Sequence, residues 1–218
     1  MIPRELLDVA PVPGGGELRL YRRGAEFSIM LGGNELMNSR LSGSEEALAT
    51  LACARVRADP AVLIGGLGMG FTLRATLAVV GANARVTVAE LVPAVIAWAR
   101  GPMADLFAGS LDDPRVTVVE DDVAALLRPD AGYDAVLLDV DNGPDGLTRA
   151  GNDWLYGAEG LAAARAALRP GGVLAIWSAA PDPRFTARLC HAGFAVEEVR
   201  ARAHGGRGAR HVVWLARR

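Results

Sequence analysis

From Ala61 to the C-terminus, short apolar runs alternate with segments whose apolar residues recur at helical spacing. Residues 61–65 form one such run, and a helix is expected to follow through Val80. Residues 85–90 read as a strand. Pro93 stands where a helix tolerates proline, in its first turn, and Gly101-Pro102 should break that helix. Further strands are expected at 115–119, 134–140 and 173–178. Between them lie a short helix at 122–128 and an Ala-rich helix at 158–168, closed by Pro170-Gly171-Gly172. After a helix at 183–192 come two strands, at about 195–202 and 211–216. Residues 204–210 join them and are too few for a crossover helix, so the two strands pair antiparallel.

The N-terminal part has a different rhythm. Leu18 and Leu20 flank Arg19, and strands at 17–23 and 25–31 around Gly24 read as a hairpin that Gly32-Gly33 ends. Pro11, Pro13 and Gly14 to Gly16 mark a loop, so the first dozen residues are expected to be a loose arm. Ser42 and Glu45 have capping-box spacing. They open a helix carrying Ala47, Leu48, Leu51, Ala52 and Val56, which Pro60 stops.

Strands alternating with helices imply a mostly parallel sheet covered on both faces. The closing antiparallel pair separates this pattern from the all-parallel dinucleotide fold. The expected class is therefore α/β, a Rossmann-like fold of the class I methyltransferase type. It has a mostly parallel seven-stranded sheet, a terminal antiparallel hairpin and a small N-terminal β-hairpin in front. The expected division is an arm and hairpin at 1–40 and a cofactor-binding domain at 41–218.

The candidate chemistry lies at the strand ends. Gly65-Gly66-Leu67-Gly68-Met69-Gly70 follows the first strand of the alternating part and precedes a helix. Glycines there let a ligand lie against the backbone at a helix N-terminus. Glu90, with Leu91 beside it, ends the next strand, where an acid can accept hydrogen bonds from ribose hydroxyls. Asp121-Asp122 follows the third strand and can meet an adenine amine or cap the helix that starts there. Asp139 ends the apolar run Ala135-Val136-Leu137-Leu138, at the crevice edge of an open sheet, and Asp141 stands close behind. A nicotinamide dinucleotide is the lesser alternative, because Phe71 occupies the place of the fingerprint's third glycine.

Composition narrows the classes. All 23 basic residues are Arg, which excludes a Schiff-base lysine and a P-loop lysine. The formal charge of −2 argues against a nucleic-acid partner. Arg200, Arg202, Arg207 and Arg210 read as a solvated edge. Cys53 and Cys190 read as small core residues, and the histidines lack zinc spacing, so no metal is expected. No leader and no membrane span are read from the sequence, and the expected compartment is the cytoplasm.

Residues 61–178 resemble the spermidine synthase (aminopropyltransferase) family. The resemblance rests on Ile64 to Gly70, Glu90, Asp121-Asp122, Tyr133 to Asp139, Leu155-Tyr156 and Leu168-Arg169-Pro170-Gly171-Gly172. It implies that Gly66, Gly68 and Gly70 face the donor's amino-acid or aminopropyl part. It gives Glu90 to the ribose, Asp122 to the adenine amine and Asp139 to the attacking amine. The chain departs from the family on the acceptor side. Asp139-Val140-Asp141-Asn142-Gly143-Pro144 replaces Asp-Ser-Ser-Asp-Pro, and Ser44-Glu45-Glu46 stands where the family has Tyr-His-Glu. Leu36 takes the place of a glutamine, and Gly160-Leu161 that of an aromatic.

The resulting expectation is a group transferase using S-adenosylmethionine or its decarboxylated form on a small molecule, with Asp139 and Asp141 as catalytic candidates. Methyl transfer is the first reading, aminopropyl transfer to an atypical amine the second, and a non-catalytic adenosyl-binding protein the third. A homodimer is the assembly considered. Trp154 and Tyr156 read equally as a lid or as anchors of their loop. Trp98, Trp177 and Trp214 read as core or interface.

Overall fold

The structure, a computed structural model, describes residues 2–140, 154–204 and 207–218. The N-terminal part is a four-stranded antiparallel sheet in sequence order: β1 (Glu5–Pro11), β2 (Glu17–Arg23), β3 (Glu26–Leu31) and β4 (Asn34–Asn38). The expected hairpin is its centre. The first dozen residues are no loose arm, however, because β1 pairs with β2 from Glu5↔Arg22 to Pro11↔Glu17. A register shift between Leu6 and Asp8 breaks the alternation that would have revealed this strand. Gly32-Gly33 is a turn into β4 rather than an end. Leu18, Leu20 and Ile29 bury one face of this sheet against the main core, and Trp98 Nε1 donates to Asp8 Oδ2 at 2.7 Å across the two parts.

Helix α1 (Gly43–Cys53) carries Leu48, Ala49 and Ala52 into the same core. The expected capping box does not form. The Ser42 side chain makes no capping bond, and the Glu45 carboxylate is taken by its neighbour Ser44, at 2.6 Å. The helix also stops at Cys53, short of Pro60.

The main sheet begins with β5 (Ala61–Gly65), followed by α2 (Phe71–Val79), β6 (Arg85–Glu90), α3 (Pro93–Arg100), α4 (Ala104–Phe107) and β7 (Val116–Glu120). Then come α5 (Val123–Leu126), β8 (Tyr133–Leu138), α6 (Ala158–Ala167), β9 (Leu168–Ser178), α7 (Pro183–His191), β10 (Ala195–His204) and β11 (Arg207–Arg217). Spatially the strands run β10-β11-β9-β8-β5-β6-β7. The five from β7 to β9 are parallel, β11 is antiparallel to β9, and β10 is antiparallel to β11. This is the expected Rossmann-like sheet with its terminal hairpin. β5 is buried at every residue because it has a strand on each side and helices on both faces. β9 starts at Leu168, directly after α6, so the segment expected to be a turn opens the strand. Tyr133↔Leu168 and Ala135↔Val173 bracket the bulge that absorbs it. Among the described residues no helix is long and apolar enough to cross a membrane.

Asp134 ties the lower edge of the sheet. Its carboxylate, buried in β8, accepts from Ala61 N at 2.7 Å, and Arg57 and Arg169 reach it from outside. Asp134→Ala leaves the Ala61 N–H without a partner. The expected result is a loss of about 1–3 kcal/mol in urea unfolding. The exposed arginines add little to this.

Candidate functional site

The carboxyl ends of β5, β6, β7 and β8 open under the N-terminal sheet into a cavity of about 870 Å³, part of it open solvent. Its floor is the loop after β5. Gly66 N donates to Ala89 O at 2.9 Å, and Asp139 N donates to Gly65 O at 3.0 Å, which knits the three central strand ends together. Gly66 has φ +90°, and a Cβ there would stand 2.5 Å from the Asp139 carbonyl oxygen. Gly70 caps α2 at φ +77°, and its missing Cβ makes room for the buried Phe107 ring. Gly66 and Gly68 line this cavity. Gly65 faces Val123 and Leu138 instead and serves packing.

Glu90 and Leu91 line the opposite wall. Glu90 is buried, with Oε2 accepting from Leu67 N and Oε1 from Val92 N, both at 2.9 Å. Burial raises its pKa, while the backbone N–H groups of Val92, Leu67, Gly68 and Leu91 act the other way. Each of its oxygens keeps a lone pair for a ligand. Asp121 and Asp122 complete the wall. Asp122 also caps α5, its Oδ1 accepting from Ala124 N at 2.9 Å. Asp121 accepts from Asp122 N.

Asp139 lies at the far end. Thr72 Oγ1 donates to its Oδ2 at 2.6 Å. Burial and the nearby Glu45 carboxylate push its pKa up to about 7, against the Thr72 hydrogen bond. Beyond it is a second cavity, of about 640 Å³ with part open solvent, over residues 67–71. Glu45 and Trp177 form its back. Leu36, Met37, Gly68 and Asp139 line both cavities and so form the neck between them. No Arg or His is among the described lining residues of either cavity.

No family model matches the chain. In sequence it is 40% identical over 145 residues to a polyamine aminopropyltransferase of Mycobacterium tuberculosis (strain H37Rv). That match takes in 62% of this chain and 27% of the relative, so the chain spans about a quarter of that protein's length. Polyamine aminopropyltransferase 1 of Streptomyces coelicolor is 40% identical over 123 residues, 55% of this chain and 22% of the relative. In structure, a spermidine synthase in complex with the transition-state analogue AdoDATO superposes with a TM-score of 0.78 at 20% identity. It covers 97% of this chain and 73% of its own. The spermidine synthase of Thermotoga maritima gives 0.76 at 19% identity, covering 97% and 72%. The chain shares its fold with these spermidine synthases.

The cleft brings together Gly66, Gly68, Glu90, Leu91, Asp121, Asp122 and Asp139, with Gly70 lining the second cavity. Asp141 lies outside the described residues. Tyr156 is core, edge-on to Phe185, with its hydroxyl donating to Val140 O. Trp154 is exposed and donates to Glu159. Trp98 and Trp214 are core as expected. Trp177, also buried, is in addition a cavity wall. The residues that sequence reasoning passed over are Thr72, Met37 and Glu45. Glu45 was visible at the position where the family motif is interrupted, but it read there as a loss and not as an acid in the cleft.

Proposed function

We propose that the chain is an aminopropyltransferase that takes decarboxylated S-adenosylmethionine as donor and a small amine as acceptor. The carrying observation is the charge of the cleft. Glu45, Glu90, Asp121, Asp122 and Asp139 line it, and no basic side chain does so among the described residues. A donor bearing a carboxylate meets acids there. The decarboxylated donor carries only positive groups, at sulfur and at its terminal amine. Sequence likeness to polyamine aminopropyltransferases supports aminopropyl over methyl transfer, the reading first preferred from sequence.

In this reading Glu90 accepts from the ribose hydroxyls with its remaining lone pairs, and Asp121 or Asp122 accepts from the adenine amine. The donor supplies a carbon bonded to positively charged sulfur, with neutral methylthioadenosine as the leaving group. Asp139 orients the acceptor amine and takes the proton its nitrogen loses on forming the new bond. A carboxyl group with a pKa of about 7 suits a base working near neutrality. The Thr72 hydroxyl, donating to Oδ2, fixes its rotamer and leaves Oδ1 for the amine.

The test is incubation with either donor and a panel of amines, with nucleoside products read by mass spectrometry. Methylthioadenosine from the decarboxylated donor is expected. S-adenosylhomocysteine and a methylated amine would overturn the proposal.

A further inference from the structure

We propose that Glu45, held by a hydrogen-bonded chain through Ser44 to His211, anchors the terminal aminium of the donor's aminopropyl arm. This inference rests on the donor proposed above. A donor with its nucleoside in the first cavity would bring its sulfur to the neck, which Gly68 and Asp139 help to line, and the second cavity continues from there over the loop. Leu36, Met37, Leu67, Met69 and Phe71 give that cavity apolar walls suited to methylenes. Besides Asp139, Glu45 is the only carboxylate among its described lining residues. Asp139 is committed to the acceptor, which leaves Glu45 for the arm's cation.

The chain behind Glu45 fixes where its carboxylate points. Ser44, fully buried, has one hydroxyl proton and gives it to Glu45 Oε2 at 2.6 Å. Its oxygen therefore accepts, and His211 Nδ1, at 2.8 Å, must carry the hydrogen. The His211 ring is in turn set edge-on against Trp177, with centroids 4.8 Å apart. Ser44 comes from α1 and His211 from β11, so the anchor depends on the terminal hairpin being in place. Both are positioning residues, and Glu45 is the one that meets the ligand.

Calorimetry with decarboxylated S-adenosylmethionine, S-adenosylmethionine and methylthioadenosine tests this without turnover. The wild-type protein is expected to bind the decarboxylated donor more tightly than methylthioadenosine, which lacks the arm. Glu45→Gln should weaken the decarboxylated donor by roughly 10- to 100-fold, the range for a lost charge-assisted hydrogen bond. Its methylthioadenosine affinity should stay within about twofold, which also reports an intact fold, and its preference over S-adenosylmethionine should narrow. His211→Ala should lose part of the advantage, and His211→Asn, whose side-chain amide can replace the Nδ1 donor, should keep it. Unchanged affinity of Glu45→Gln for the decarboxylated donor, with methylthioadenosine still bound, would overturn the anchor and leave the proposed function standing. Failure of the wild-type protein to bind either nucleoside would overturn both.

Discussion

Asp139→Asn is expected to lower turnover by ~10²–10⁴ while leaving methylthioadenosine affinity within a few-fold. Asn keeps the shape and can still accept from Thr72, but it cannot take a proton. The wild-type rate at low substrate should rise with pH through about 7, where the Asp139 carboxyl ionises in the free protein. A bound cation favours the carboxylate, so the break in the saturated rate should lie at lower pH than the break at low substrate. Neither break should survive in the variant. The same substitution has the opposite effect on stability. In the native state Asp139 holds a proton up to about pH 7, whereas the unfolded chain releases it near the ordinary carboxylate value of about 3.9. Between these values the wild-type protein loses stability as pH rises. The variant should therefore match it near pH 4 and melt at a higher temperature at pH 8. A variant that retains its rate would place the base elsewhere. Equal melting at pH 8 would mean that Asp139 is not held in its neutral form.

Glu90→Ala is expected to weaken methylthioadenosine binding by ~100-fold or more and to destabilise the protein as well. The first effect follows from losing charge-assisted bonds to the ribose, each about 1.5–3 kcal/mol. The second follows from its present partners. Leu67 N and Val92 N both donate to this carboxylate, and removing it leaves two buried donors unpaired at about 1–3 kcal/mol each. Glu90 thus holds the glycine loop against the end of β6 as well as facing the cleft. Calorimetry and urea unfolding on the same preparations separate the two effects. A folded variant with unchanged affinity would remove Glu90 from the nucleoside site.

The main sheet was legible because burial on both faces makes runs such as Ala61-Val62-Leu63-Ile64 apolar throughout, and the glycine loop and acids were legible because they sit where those runs stop. β1 was not legible. It buries one residue, Ala10, and its register shifts midway, so no period reports it. β4 is a short edge strand with no buried residue. The capping box failed for a local reason, since Ser44 outcompetes the backbone for Glu45. The Glu45–Ser44–His211 chain was illegible for a topological one. Ser44 and His211 are 167 positions apart and meet because β11 inserts between β9 and β10.

Met37 reaches across the neck so closely that its sulfur lies 3.2 Å from where a Gly68 side chain would begin. A change of side-chain length at 37 therefore alters the passage between the two cavities, whereas changes at Glu45 or Val95 touch only one of them. In a lineage of such proteins, tolerance for a new nucleoside and tolerance for a new arm on its sulfur should evolve separately at most wall positions and in step at this one.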